Sequence, residues 1–302
     1  MAAGGGTKAV VTALIANIGI AIAKFIGFLL TGSSSMLAES VHSVADSSNQ
    51  GLLLFAGSRA TQKASDVHQF GYGAVRYLAA FVVAIILFTL GGLFALYEAW
   101  HKYADPHPID DWQWVPVTVL LLAIVFEAYA LRIAVQEANR VRGRRSLFQF
   151  VKASRSPEIP VILLEDTGAL LGLVFGLFGV GMTLGTGDGR WDAVGSGAIG
   201  VLLVVIAVFL GWEMRSMLIG ESVLPEQREA IERALVGDGI DRIVRMRTLH
   251  LGPDDVLVAA KITLGSTDSA LEVSRAIDAA EKRVRDAVPL RLQIYLEPDL
   301  HE

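Results

Sequence analysis

The sequence predicts an α-helical membrane protein, with six transmembrane helices followed by a small cytoplasmic α+β domain of αββαβ, ferredoxin-like order. Three observations predict it. Of the 302 residues, 53% are hydrophobic and 19% charged, where a soluble domain carries about 25% charged residues. The charge is also unevenly placed. Residues 1–218 hold 30 Asp, Glu, Lys and Arg, whereas the last 84 residues hold 27 and the whole net charge of −5. Finally, apolar runs of bilayer length fill the first part, and alternating apolar positions mark the end of the second. The expected domains are 1–218, a six-helix transmembrane domain, and 219–302, a cytoplasmic αββαβ domain.

A bilayer core requires about 20 mostly apolar residues per helix. Six stretches qualify: Ala9 to Leu30, Ser35 to Ala56, Leu78 to Trp100, Trp114 to Val135, Ile159 to Met182, and Ala193 to Trp212. The first is too long for a cleavable signal peptide, contains Lys24, and lacks a small-residue cleavage site. Gly168, Gly172 and Gly176 recur every four residues on the fifth stretch and read as a packing stripe.

Loop charge sets the orientation. The loops after spans two and four carry Arg59, Lys63, Arg76, Arg140, Arg142, Arg144, Arg145, Lys152 and Arg155. The other three loops carry only Lys102 and Arg190. Nine against two places the second and fourth loops in the cytoplasm, and an even number of spans places both termini there too.

In the tail, Pro225 to Val236 reads as a helix with Pro at its start. Arg242 to Leu251 and Val256 to Leu264 read as strands joined by the turn Gly252-Pro253-Asp254-Asp255. Asp268 to Ala287 reads as a helix. Leu290, Leu292, Ile294 and Leu296 then alternate with Arg291, Gln293, Tyr295 and Glu297, the period of a half-buried strand. So small a domain gains from pairing with another copy.

Some functions are excluded at once. Without cysteine there is no disulfide scaffold, thiolate metal site or cysteine nucleophile. A pI near 5.7 argues against a nucleic-acid partner. No phosphate loop or plausible Ser/His/Asp arrangement points to an enzyme.

The informative residues are ionisable groups inside spans, each costing roughly 2.5–3.5 kcal/mol at the bilayer centre. Span one carries Lys24, span two Glu39, His42 and Asp46, span four Glu127, and span five Glu165 and Asp166. His42 and Asp46 are four residues apart, which stacks imidazole and carboxylate on one helical face. Together they can grip a divalent cation from one side, with Asp166, alone or with Glu165, closing the site from span five. Adjacent residues point about 100° apart, so both need not be ligands. Imidazole with carboxylates suits Zn²⁺, and Mn²⁺ or Fe²⁺ less exclusively. The alternative is an interhelical ion-pair network in which Lys24 compensates Asp46 or Asp166, or a proton relay without metal.

Ser33-Ser34-Ser35-Met36-Leu37-Ala38-Glu39-Ser40, with His42-Ser43-Val44-Ala45-Asp46 after it, resembles the second helix of the cation diffusion facilitators. Phe70-Gly71-Tyr72-Gly73 is similar to that family's glycine-rich cytoplasmic loop, and Leu218-Ile219-Gly220-Glu221-Ser222 to its junction with the tail. Ala74-Val75-Arg76-Tyr77 and Leu164-Glu165-Asp166-Thr167 look most like the branch typified by zinc transporter 9. The resemblance covers the whole chain. It implies efflux of a divalent metal from the cytoplasm, coupled to inward protons, by a homodimer with no permanent cofactor. It carries the ligand roles to His42, Asp46 and Asp166. The chain departs from the pattern at Ile162, where the family places a histidine or aspartate; Glu165 is the candidate replacement.

Regulatory metal sites of the kind such proteins carry look poor here. His250 reads as a strand surface residue; with Glu297 it is the only tail candidate, and His301 lies near the end. Asp66 and His68 sit in the loop after span two, where Tyr72 replaces a histidine. His101 and His107 belong to the outer side. The expected location is a bacterial inner, or plasma, membrane. Two other functions stay open: a proton-coupled transporter of a different substrate, and a membrane-anchored metal sensor or scaffold that no longer transports.

Overall fold

The computed structural model describes residues 3–109, 112–264 and 269–299, with side chains from Asn17 onward. Asp268 and His301, both drawn on above, lie outside the described residues. The chain forms two compact units. One runs to Ala56 and resumes over Ala79–Met214; the other joins Gly57–Leu78 to the chain from Arg215 onward.

The helical unit is built on α1 (Ala3–Thr31), α2 (Ser34–Ala60), α3 (Val75–Ile86), α4 (Phe94–Ala104), α5 (Trp114–Val141), the short α6 (Leu147–Ala153), α7 (Glu158–Thr186) and α8 (Arg190–Ile219). A π-helical segment, Leu87–Leu93, joins α3 to α4, so the third span is one rod with a widened turn. Pro157 precedes α7, and Gly187 ends it in the left-handed conformation at φ 73°. Ser146 and Gln149 cap the start of α6 reciprocally.

Among the described residues, four helical rods are long and apolar enough to cross a membrane: Val75–Ala104, Trp114–Val141, Glu158–Thr186 and Arg190–Ile219. The described side chains of α1 supply a further apolar stretch, Asn17–Thr31. The second expected span differs for a physical reason. α2 has 27 residues, but its buried face is polar: Ser34, Ser35, Glu39, Ser40, His42, Ser43, Asp46, Ser47 and Asn49. Such a face is tolerated at membrane depth only when turned into the bundle.

Met36, Leu120, Ala123, Leu173 and Val180 form an apolar core between α2, α5 and α7, with Ile20 and Phe28 of α1 against it. Ile162 packs elsewhere, beside Ala134, Ala138, Phe150 and Leu163. α5 turns Leu121, Leu122, Val125, Phe126 and Tyr129 outward. Lys102 is no free loop charge: it is buried, and its ammonium donates to the Gly32 carbonyl at 3.0 Å, just past the end of α1.

The second unit contains α9 (Pro225–Leu235), β1 (Ile240–His250), β2 (Asp255–Leu264), α10 (Ala270–Ala287) and β3 (Arg291–Asp299). The sheet order is β1-β2-β3. β1 and β2 pair antiparallel with His250 opposite Val256, and β2 and β3 pair parallel with Asp255 opposite Arg291. This is the expected αββαβ order, with ferredoxin-like layering on three strands. Ile231 and Leu235 of α9 and Ala280 and Val284 of α10 close the core over Val256, Val258, Ile262 and Ile294. His250 corrects the expectation of a surface residue. It is 5% exposed, and its Nδ1 lies 3.1 Å from the Gly252 carbonyl, because the turn folds back over the end of β1.

The loop Gly57–Leu78 belongs to this unit. Gly73 meets the hairpin turn so closely that a Cβ on Gly252 would lie 2.6 Å from the Gly73 Cα. The Arg76 guanidinium donates to Asp254 at 2.8 Å. Within the loop, Tyr72 sits under the Arg59 guanidinium, beside the His68 ring.

Candidate metal centre

The start of α2 positions the site. Ser33, Ser34 and Ser35 converge on Asp192 in the first turn of α8, whose carboxylate accepts the Ser34 N–H at 2.7 Å and the Ser33 hydroxyl at 3.0 Å. Asp192 is wholly buried. This anchor fixes the rotation of α2, and with it which side chains face α7 two to three turns later.

His42 and Asp46 do share one face: Nε2 and Oδ2 are 3.6 Å apart, longer than a hydrogen bond. His42 is fully buried and Asp46 is 8% exposed. Neither ring nitrogen of His42 has a hydrogen-bond partner, nor has Asp46 Oδ1. The ring lies against the π-helical segment, its Nδ1 3.8 Å from where a Cβ on Gly91 would stand. Helix irregularities of this kind often mark functional positions.

From α7, Glu165 comes to the same place. It is 5% exposed, its carboxyl lies within hydrogen-bonding range of Asp46, and Asn49 donates to its Oε1 at 2.7 Å. Asp166, the next residue of α7, is half-buried and stands in the electrostatic field of Glu127 and Glu165. The structure thus stacks His42 and Asp46 on one face of α2 and sets Asn49, three residues further on, against Glu165 of α7. Among the described residues, no three His, Asp or Glu side chains stand at metal-ligand spacing.

Sequence reasoning left two residues unassigned. Glu127 of α5 lines a small cavity with Asn17, Ile20, Ser43 and Asp46, so a carboxylate from a third helix faces the site. Its signal was its depth in span four. Lys24 corrects the ion-pair alternative. Its ammonium pairs with Glu39 Oε2 at 3.0 Å, not with Asp46 or Asp166. Among the remaining candidates, His68 and Asp66 are exposed loop residues, the His101 ring lies tilted beside Tyr97, and His107 pairs with Asp105 in solvent.

The donor set is oxygen and imidazole nitrogen, buried and short of partners. That chemistry suits a divalent cation of the zinc type. Residues 10–219 match the cation efflux transmembrane domain. The chain belongs to the cation efflux, or cation diffusion facilitator, family. This family member is 31% identical over 261 residues to the human proton-coupled zinc antiporter SLC30A9, mitochondrial, covering 85% of this chain and 46% of that protein. It is 25% identical to metal tolerance protein C4 of Arabidopsis thaliana, over 84% of this chain and 56% of that one. Zinc transporter ZitB of Pectobacterium atrosepticum is 34% identical over 120 residues, 40% of this chain and 36% of its own. The cation efflux chain spans about half the length of the first two relatives. Its likeness to zinc transporter 9 relatives agrees with the branch its motifs resemble. It is an integral, multi-pass membrane protein of a transporter family.

Proposed function

We propose that the chain exports a divalent cation, zinc foremost, in exchange for protons, and works as a homodimer. The observation that carries this reading is the meeting of unpartnered His42 nitrogens, an unpartnered Asp46 oxygen and the Glu165 carboxyl inside the helix bundle. Buried polar atoms are seldom left without partners. A site that leaves them so, with carboxylates on three helices around it, is built to receive positive charge.

Protons and metal compete for the same atoms. Ligation needs neutral imidazole and ionised carboxylate, so an arriving ion displaces the protons that the empty site holds. Protons from the other side then discharge the ion. Exchange requires the site to open to each side in turn, by movement of the helices that carry it. Glu165 stands in for the ligand absent at Ile162, whose side chain packs into an apolar cluster. Glu127 borders the small cavity beside Asp46. The relatives' names, a proton-coupled zinc antiporter and a zinc transporter, support zinc over Mn²⁺ and Fe²⁺. The loop charges support cytoplasmic termini, and a bacterial inner, or plasma, membrane is proposed as the location without resting on them.

The test is flux into proteoliposomes carrying an internal pH dye, run over a series of divalent metals. Zn²⁺ is expected to drive proton movement, and His42→Ala to abolish it. Wild-type flux in that variant would overturn the reading, and Zn²⁺ binding without flux would favour a sensor.

A further inference from the structure

The Lys24–Glu39 pair lies beside the ligand group without belonging to it. Lys24 is 1% exposed and Glu39 not at all. The ammonium donates to Glu39 Oε2 at 3.0 Å and to the Ser43 hydroxyl at 2.8 Å. Glu39 Oε1 faces Gly172 of α7, where a Cβ would stand 2.7 Å away, and it has no hydrogen-bond partner. Ser43 also borders the cavity shared by Asp46 and Glu127. One oxygen of Glu39 is thus held by a cation, and the other lies against Gly172 without a hydrogen bond.

The charge balance gives this pair its meaning. Six carboxyl groups lie within the expected spans, Glu39, Asp46, Glu98, Glu127, Glu165 and Asp166, against Lys24, Arg132 and His42. Lys24 stands in electrostatic range of His42, Asp46 and Glu127 as well as Glu39. A lysine ammonium is a compact point charge with three donors on a flexible stem. It makes the contacts that a small free cation would make with a carboxylate and a hydroxyl.

We infer that Lys24 is a built-in cation. It fills the position beside Glu39 and Ser43 and confines the exchangeable ion to His42, Asp46 and the α7 carboxylates. This inference rests on the cation-transport reading and adds to it a residue that sets how many ions each chain accepts. Two consequences follow from the charges. Without the ammonium, Glu39 and Ser43 are open to a second ion. Without the Glu39 charge, the ammonium keeps its charge but loses its partner, and repels an ion at His42 and Asp46.

Zn²⁺ bound to the full chain in detergent, counted by elemental analysis after equilibrium dialysis, tests this. Lys24→Ala is expected to hold one Zn²⁺ more per chain than the wild type. Lys24→Ala with Glu39→Gln is expected to return to the wild-type number, and Lys24→Arg to keep it. Glu39→Gln alone is expected to weaken Zn²⁺ binding about tenfold or more, since it leaves a buried charge unpaired. An unchanged count in Lys24→Ala overturns the inference. If Lys24→Ala does not stay folded, the isosteric Glu39→Gln decides, and wild-type affinity in it overturns the inference. His42→Ala, measured in parallel, reports separately on the ligand assignment: full Zn²⁺ binding there would sink the transport site, whatever the Lys24 variants do.

Discussion

Asp192 Oδ2 accepts the backbone N–H of Ser34 at 2.7 Å, so a residue at the start of α8 caps the start of α2. The same carboxylate takes the hydroxyls of Ser33 and Ser34, and Ser196 bonds to Ser34 behind them. A carboxylate at two helix N-termini is favoured by both dipoles. Asp192→Ala leaves buried donors unpaired, at about 1–3 kcal/mol each. The variant is expected to unfold at a clearly lower temperature in detergent, followed by tryptophan fluorescence, with Asp192→Asn intermediate. Equal melting of all three proteins would remove Asp192 from this role.

Gly172 gives the glycine stripe of α7 more than a packing role. Its bare backbone makes room for Glu39 Oε1, and Gly168 likewise makes room for Ile206 of α8. Because Lys24 fixes the other Glu39 oxygen, the carboxyl has little freedom to yield. Gly172→Ala is expected to cost about 1–3 kcal/mol by overpacking and to weaken Zn²⁺ binding through a displaced α2. Gly181→Ala, with open space around it, is the control and is expected to behave as wild type. If both variants match the wild type in melting and in affinity, the contact has no mechanical consequence.

The loop between the second and third spans is held by backbone contact more than by charge. The Arg76–Asp254 pair has Asp254 61% exposed, and pairs of that kind contribute about 0.2–1 kcal/mol. Gly73 against Gly252 is different, since a Cβ on Gly252 meets main-chain atoms that cannot rotate away. Gly252→Ala is therefore expected to release the loop, and Asp254→Ala to leave it in place. Amide exchange over Gly57–Leu78 reads this directly. The reverse order of effects would show that charge carries the contact.

These contacts also mark where the sequence stops being legible. The tail could be read because alternation from Leu290 to Leu296 and the Gly252–Asp255 turn are local signals, and both became the expected strands and hairpin. His42 and Asp46 could be placed on one face because the spacing along a single helix is fixed. Which group faces Lys24 is not local. It depends on how α1 and α2 are rotated about their own axes, and the answer was Glu39. Glu127 reached the site for the same kind of reason, through the packing of α5. His250 was misread because burial at a strand end depends on what the next turn covers. The contact of Gly73 with Gly252 has no side chain to announce it.

The tail offers a pH test outside the membrane. The Ser269 backbone N–H and hydroxyl both donate to Glu272 Oε2 at 2.7 Å, and they hold that carboxyl below its usual 4.5. A depressed folded pKa means the contribution to stability is present above the unfolded value and is lost as pH falls through the lower, folded one. Protection of the first-turn amides of α10 is expected to hold at neutral pH and to fall below about pH 4.5. Ser269→Ala, which keeps the backbone N–H bond but loses the hydroxyl, should reduce it at neutral pH. Glu272→Gln should remove the pH response, and one that persists in that variant would assign it to another group.

Asn49 separates the two α7 carboxylates. Its amide donates to Glu165 Oε1 at 2.7 Å and makes no such bond to Asp166. Groups that orient a metal ligand typically change affinity about 10–100-fold when removed. If Glu165 takes the place of the ligand missing at Ile162, Asn49→Ala should weaken Zn²⁺ binding by that order and reproduce Glu165→Gln. Asp166→Asn should then affect flux more than equilibrium affinity. If instead Asp166→Asn abolishes binding while Asn49→Ala and Glu165→Gln bind as wild type, Asp166 is the α7 ligand, and α7 must turn to bring it to His42 when the ion arrives.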